Sequence, residues 1–82
     1  MKNETNYANK ITRQDINEAI DYLNLFEVGT FTFHEGNSQY CHRIKDEHFN
    51  TILIGNTKRE LYGKIGAFIE GIILKGVFTN NK

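Results

Sequence analysis

Four side chains in this sequence are soft enough to ligate a metal or to act as nucleophile and base: His34, Cys41, His42 and His48. Zinc requires four protein ligands, or three and a water. The alternation of residues 28–44 sends Cys41 and His42 to opposite faces of a hairpin and leaves His34 diagonal to Cys41, with no third ligand nearby. No metal and no cofactor is expected. Nucleophilic catalysis needs a nucleophile, a base and an orienting group converging on a pocket. Cys41 with His34 is the one pair that can be drawn, and a flat sheet supplies no evident cleft for it. The expectation is a chain that is not an enzyme, with His42 hydrogen-bonded at a core edge and Cys41 a small sheet residue.

The elements that place these residues follow from periodicity. From Val28 to His34 the pattern has period two, with Phe31 and Phe33 alternating with Thr30, Thr32 and His34, which is a half-buried strand. Glu35-Gly36-Asn37-Ser38 is a turn signal. With Gly36-Asn37 as the two loop residues, Phe33 faces Tyr40 and Phe31 faces His42. One face of the hairpin then carries Phe31, Phe33, Tyr40, His42 and Ile44. The other carries Thr30, Thr32, His34, Gln39, Cys41 and Arg43. A one-residue slip would exchange the two sets. Phe49 to Ile54 reads as a third, mostly buried strand after the polar connection Lys45-Asp46-Glu47-His48, and Gly55 ends it.

Helices flank the strands. Thr12 is a good N-cap, Asp15 stands where a capping-box acid would, and Ile11 and Ile16 have the spacing of a hydrophobic staple. Ile16, Ala19, Ile20 and Leu23 follow the helical spacing up to a stop near Asn24. Thr57 and Glu60 form a capping box for a second helix, whose apolar stripe is Leu61, Ile65, Phe68, Ile69 and Ile72. Gly76 reads as the residue just past its end, with Val77 placed to contact Ile72. The expected fold is α+β, in the order α-β-β-β-α: a three-stranded antiparallel sheet with two helices packed on one face. Residues 1–10 read as a mobile N-terminal tail, 11–78 as the domain and 79–82 as a C-terminal tail.

The second helix holds Gly63, Gly66 and Gly71, and each costs about 1 kcal/mol relative to Ala in a helix interior. Gly63, Ala67 and Gly71 fall on one line, roughly opposite the apolar stripe and flanked by Glu60, Lys64 and Glu70. Small residues four apart allow another backbone to approach closely. The line is a candidate helix contact with a second copy, forming a homodimer, or with a partner; the alternatives are helix 1 packing there, or glycines tolerated without a purpose.

The composition narrows the class. The chain has 82 residues, 39% of them apolar and 24% charged, which is one globular domain. Its net charge of zero lowers the expectation of nucleic-acid binding without removing it. Acidic residues outnumber basic ones up to Asn50, and the reverse holds after it. A single cysteine rules out an internal disulfide and suits a reducing compartment. The polar N-terminus does not read as a secretory leader. The most apolar stretch, IGAFIEGIILKGVF, contains Glu70 and Lys75 and is too short to span a bilayer. A cytoplasmic protein with no membrane association is expected.

The segment Gly55-Asn56-Thr57-Lys58-Arg59-Glu60-Leu61-Tyr62 resembles a strand-G-T-K-R-E-x-Y-helix unit of small proteins from phages and other mobile elements. Here Asn56 is inserted between the glycine and the threonine. The resemblance covers about 30 residues, has no assigned activity to carry over, and implies only a setting: a short accessory protein of phage or mobile-element origin, in which an interaction protein that binds and inhibits a host complex such as a defence system is the expectation. The residues themselves point to a non-catalytic interaction module. Its protein partner would meet the open sheet face: Thr30, Thr32, His34, Gln39 and Arg43. The alternative is a small nucleic-acid-associated regulator using the same face with Lys58 and Arg59, disfavoured by the placing of the aromatics on the buried side.

Overall fold

The structure is a computed structural model that describes residues 10–80 and, within the second helix, side chains up to Lys75. Apart from Lys10, the expected N-terminal tail lies outside the described residues, as do Asn81 and Lys82. The elements run α1 (Arg13–Asn24), β1 (Thr32–His34), β2 (His42–Lys45), β3 (Thr51–Gly55) and α2 (Lys58–Asn80). The three strands form one antiparallel sheet in the order β1-β2-β3. The fold is α+β with the expected α-β-β-β-α order, and both helices lie against the same side of the sheet.

Helix α1 begins where its capping chemistry places it. Thr12 Oγ1 accepts the Asp15 N–H at 3.1 Å, and Asp15 Oδ2 accepts the Thr12 N–H at 2.9 Å. Aspartate, shorter than the usual glutamate, still closes the box. Ile16, Ile20 and Leu23 then point inward, meeting Phe31, Ile44, Leu61, Ile65 and Ile69 in one buried cluster. Ile16, Leu23, Ile44, Leu61 and Ile65 are fully enclosed. Phe31 packs edge-on against Phe68 with ring centres 5.9 Å apart.

The β1–β2 register differs from the one expected. Phe33 pairs with Ile44 instead of Tyr40, and His34 pairs with Arg43. Residues 35–41 form a longer connection held by its own polar atoms. Asn37 Oδ1 accepts N–H groups from Gln39 and Tyr40, at 2.7 and 3.1 Å. The Gly36 N–H donates to His42 Nδ1 at 2.9 Å. A Cβ on Gly36 would stand 2.1 Å from the Tyr40 carbonyl oxygen, so only glycine fits. The displacement is an even number of residues, which leaves each strand residue on its expected face. Tyr40 is the exception. Expected inside, it sits in the connection, 59% exposed.

Two further expectations are corrected. The third strand is not mostly buried: Phe49, Ile52 and Ile54 are exposed, and only Leu53 and Gly55 turn inward. A bulge between Ile44 and Lys45 places Ile44 opposite Leu53 but Lys45 opposite Thr51. Nor does α2 stop at Gly76; it continues to Asn80, and the side chain of Val77 lies outside those described. The start of α2 is as expected, with the Glu60 N–H donating to Thr57 Oγ1 at 3.0 Å. Glu60 Oε1 accepts the N–H of the inserted Asn56 at 3.1 Å. A Cβ on Gly55 would come within 2.7 Å of the Leu61 nitrogen, so the strand end is glycine because the helix sits directly on it.

Asn24 has a role that its position at the helix stop does not reveal. Its side chain accepts the Phe31 N–H at 2.9 Å and donates to the Phe31 carbonyl at 3.2 Å, as a neighbouring strand would. These bonds tie the end of α1 to the entry of β1. Asn24→Ala should lower stability by about 2 kcal/mol, because two half-buried backbone groups lose their partner. Urea denaturation measures this, and a loss within about 0.5 kcal/mol of zero would show the bonds to be dispensable.

Candidate functional site

The two helices cover one face of the sheet and leave the other open. Alternation along β2 puts Ile44 in the core and Arg43 and Lys45 on the open side. Arg43 stands between His34 on β1 and Ile54 on β3, and Lys45 is opposite Thr32. Thr32 and His34 are joined by a 3.2 Å contact between Oγ1 and Nε2. Of the residues proposed from sequence for this face, Thr32, His34 and Arg43 are brought together. Gln39 is not: it belongs to the 35–41 connection; Thr30, just before β1, lines a hollow together with Thr32.

Sequence reasoning missed the apolar part of the surface. Phe49 is 73% exposed, and Ile54 and Ile52 are 46% and 37% exposed. The Phe49 ring meets His34 edge-on at 6.4 Å, and the Lys45 ammonium lies 5.9 Å from its centre. Phe49, read from sequence as the start of a mostly buried strand, therefore leans over the open face. Its backbone is the reason. The β2–β3 connection closes with Phe49 N–H to Asp46 O and Asp46 N–H to Asn50 O, both at 3.0 Å. Phe49 occupies the left-handed position of this turn, with φ at 66°. Glycine or asparagine is the usual occupant there, and a bulky side chain is strained. The signal available in the sequence was the spacing Asp46–Asn50, an Asx-type turn that ends where Phe49 stands.

The charges around this face are unevenly matched. Asp46 Oδ1 accepts N–H groups from His48 and Asn50, each at 2.9 Å. Desolvation acts to raise the Asp46 pKa, but these backbone donors, with the Asn50 side chain and His48, outweigh it and hold the group below its usual value. The Thr30 N–H donates to Glu47 Oε1 at 3.0 Å and, with Glu47's own backbone N–H, lowers that pKa as well. Both acids are thus engaged with the backbone. The Arg43 guanidinium has no hydrogen-bond or ion-pair partner among the described residues, and its Nε is shielded from solvent.

The other candidates are placed as follows. Cys41 donates its thiol to Asn56 Oδ1 at 3.0 Å. Beside it is a hollow of about 250 Å³ lined by Asn37, Ser38, Gln39, Tyr40 and Asn56, with neither histidine nor carboxylate. His34 is not brought to it. Among the described residues no three His, Cys, Asp or Glu side chains are grouped as a metal would need. A Cβ added at Gly63, Gly66 or Gly71 would meet nothing within 4 Å, so α1 does not pack along the Gly63–Ala67–Gly71 line. Ala67 and Gly71 line a shallow hollow of about 350 Å³ with Phe68, Ile72 and Lys75. Gly66 instead borders a groove of about 410 Å³ between α1 and α2, flanked by Tyr22 and Tyr62. Among the described residues no helix is long and apolar enough to cross a membrane. Compared with family models, curated proteins and solved structures, the chain matches none.

On the opposite side from this surface chemistry, Glu35 clasps the two helix starts. It pairs with Lys58 at 2.8 Å and with Arg13. Hydrogen bonds from Lys58 and then Arg13 hold its pKa below the usual glutamate value. A lowered carboxylate pKa adds stability above the unfolded-state value and loses it as pH falls through the folded one. Glu35→Gln should therefore lower the melting temperature slightly at pH 7, and the gap should close as pH falls below the ordinary glutamate range; a gap that persists in acid would show the clasp is not ionic. At the hairpin, Phe49→Asn should keep the fold and raise stability by about 0.5–1 kcal/mol in denaturant, since it relieves left-handed strain. A loss above about 1 kcal/mol would mean that the ring's contacts outweigh the strain.

Proposed function

We propose that this chain is a non-catalytic protein-binding module whose working surface is the open sheet face. The observation that carries the reading is Phe49. A strained backbone holds a large aromatic ring in solvent, just before the strand that carries the exposed Ile52 and Ile54. In a small domain, strain kept at an exposed apolar residue favours a use for that residue over a contribution to folding. Aromatic anchors fixed in position also lose little entropy when a partner covers them. The partner is another protein. The sequence resemblance of residues 55–62 suggests the setting, a phage or mobile-element accessory protein that inhibits a host complex in the cytoplasm, where Cys41 stays reduced. A homodimer through Gly63, Ala67 and Gly71 belongs to the same proposal, since a close helix approach finds open space there.

One observation favours nucleic acid as the second reading. Phe49 is on the open face with Arg43 and Lys45, so an exposed ring is adjacent to cations that have no carboxylate partner among the described residues. Three features weigh against it: zero net charge, a single exposed aromatic on the face, and aliphatic Ile52 and Ile54 where bases would stack.

The test is affinity capture from the source cell with the intact chain, compared with Phe49→Ser and Ile54→Ser. Both should keep the circular dichroism of the parent and recover the specific partner at least about 30-fold less efficiently, the loss of one hot-spot residue. Undiminished recovery by both variants would remove the open face as the binding surface. Tight binding of single-stranded DNA or RNA at about 50 mM salt, lost in Phe49→Ser, would establish the second reading instead.

A further inference from the structure

Among the described residues several cations have ion-pair partners, while two on the open face have none. Arg13 and Lys58 share Glu35, and Lys64 takes Glu60 at 3.4 Å while also donating to the Ile54 carbonyl at 2.7 Å. On the open face Arg43 and Lys45 have no carboxylate within ion-pair distance among the described residues. The two nearest acids in sequence, Asp46 and Glu47, form no ion pair with either cation: Asp46 Oδ1 accepts from His48 and Asn50, Glu47 Oε1 accepts from Thr30, and Glu47 Oε2 lies 3.9 Å from His48 Nε2. Arg43 is the sharper case. Its Nε is out of solvent with no acceptor, so part of the desolvation of the charge has already occurred without compensation. A carboxylate brought to the remaining guanidinium N–H groups would gain charge-assisted bonds at reduced further cost.

We infer that the partner meets this face with an acidic peptide segment that also carries apolar side chains; this rests on the protein-binding reading above. Carboxylates would pair with Arg43 and Lys45, and aliphatic or aromatic side chains would cover the exposed Phe49, Ile52 and Ile54. The alternation is built into the sheet. Arg43 and Ile54 are cross-strand neighbours, so a charged and an apolar contact are offered side by side. A nucleic acid would supply anions but would find aliphatic side chains where it needs stacking surfaces, which is why the acidic peptide is the better fit.

The probe is a set of fluorescein-labelled peptides of equal length titrated against the full chain. One alternates Glu with Leu and Phe, one has Lys for each Glu, and one has Ser for each apolar residue; a single-stranded oligothymidylate is the fourth member. The acidic apolar peptide should bind at least tenfold tighter than the other three. It should shift the amide resonances of 32–34, 42–45 and 49–54, and it should weaken severalfold between about 50 and 200 mM salt. Arg43→Glu should reverse the preference toward the Lys peptide. Equal binding of the Lys peptide, shifts confined to other residues, absence of binding, or preference for the oligonucleotide would each overturn the inference. Capture of the cellular partner separates this failure from failure of the parent reading. If Phe49→Ser releases the partner while Arg43→Gln and Lys45→Gln retain it, the face is right and the acidity wrong. If all three variants retain it, the binding surface itself is wrong.

Discussion

Ile44 lies fully enclosed between two neighbouring strands and the helices above them, and the layer that closes over it is the only one the described residues build. Two helices on three short strands can bury one side of a sheet. Every apolar residue that alternation sends to the other side is left facing water, because no further layer among the described residues covers it. The core of Ile16, Ile20, Leu23, Phe31, Ile44, Leu61, Ile65 and Ile69 follows from this constraint. So does the exposure of Ile52 and Ile54: β3 is apolar on both sides but only Leu53 and Gly55 can face the helices.

The polar devices at the ends of the elements serve that layer. Asn24 replaces a missing strand at the entry of β1, and Gly55 lets α2 descend onto the end of β3. Glu35 joins the starts of both helices. The inserted Asn56, which departs from the pattern in residues 55–62, gives its N–H to Glu60 and its side-chain oxygen to the Cys41 thiol. It thereby links the long connection after β1 to the head of α2. These contacts tie the sheet to both helices beneath its open face, and a surface held in place in this way loses less freedom when a partner covers it.

Much of the fold was legible because its signals are local. Capping side chains reach only three residues, so Thr12–Asp15 and Thr57–Glu60 locate both helix starts without knowledge of the rest. The apolar stripe of α2 is a matter of spacing, and Leu61, Ile65 and Ile69 are buried as spacing requires. The hairpin register was not legible. Gly36-Asn37 suits a two-residue turn, yet Asn37 and His42 bind the backbone of a longer loop more completely. Local turn chemistry could not weigh those bonds against a shorter connection. The error did not spread to the strands, because an even displacement preserves the faces. The end of α2 was misread for a related reason: Gly76 has the chemistry of a helix stop, but a glycine is also tolerated inside a helix.

The same division holds for the site. By itself the sequence determined the order of elements, the core face of each helix, and the polar open face on which Thr32, His34 and Arg43 stand, because periods of 3.6 and 2 are properties of the chain alone. Tertiary structure decided what lies beside them. A hydrophobic run such as Phe49–Ile54 carries no mark of which side will be covered, and burial was the natural reading. Only the assembled sheet shows that the helices are used up on one side. Phe49, Ile52 and Ile54 are left exposed there, with the Arg43 charge unpaired among them.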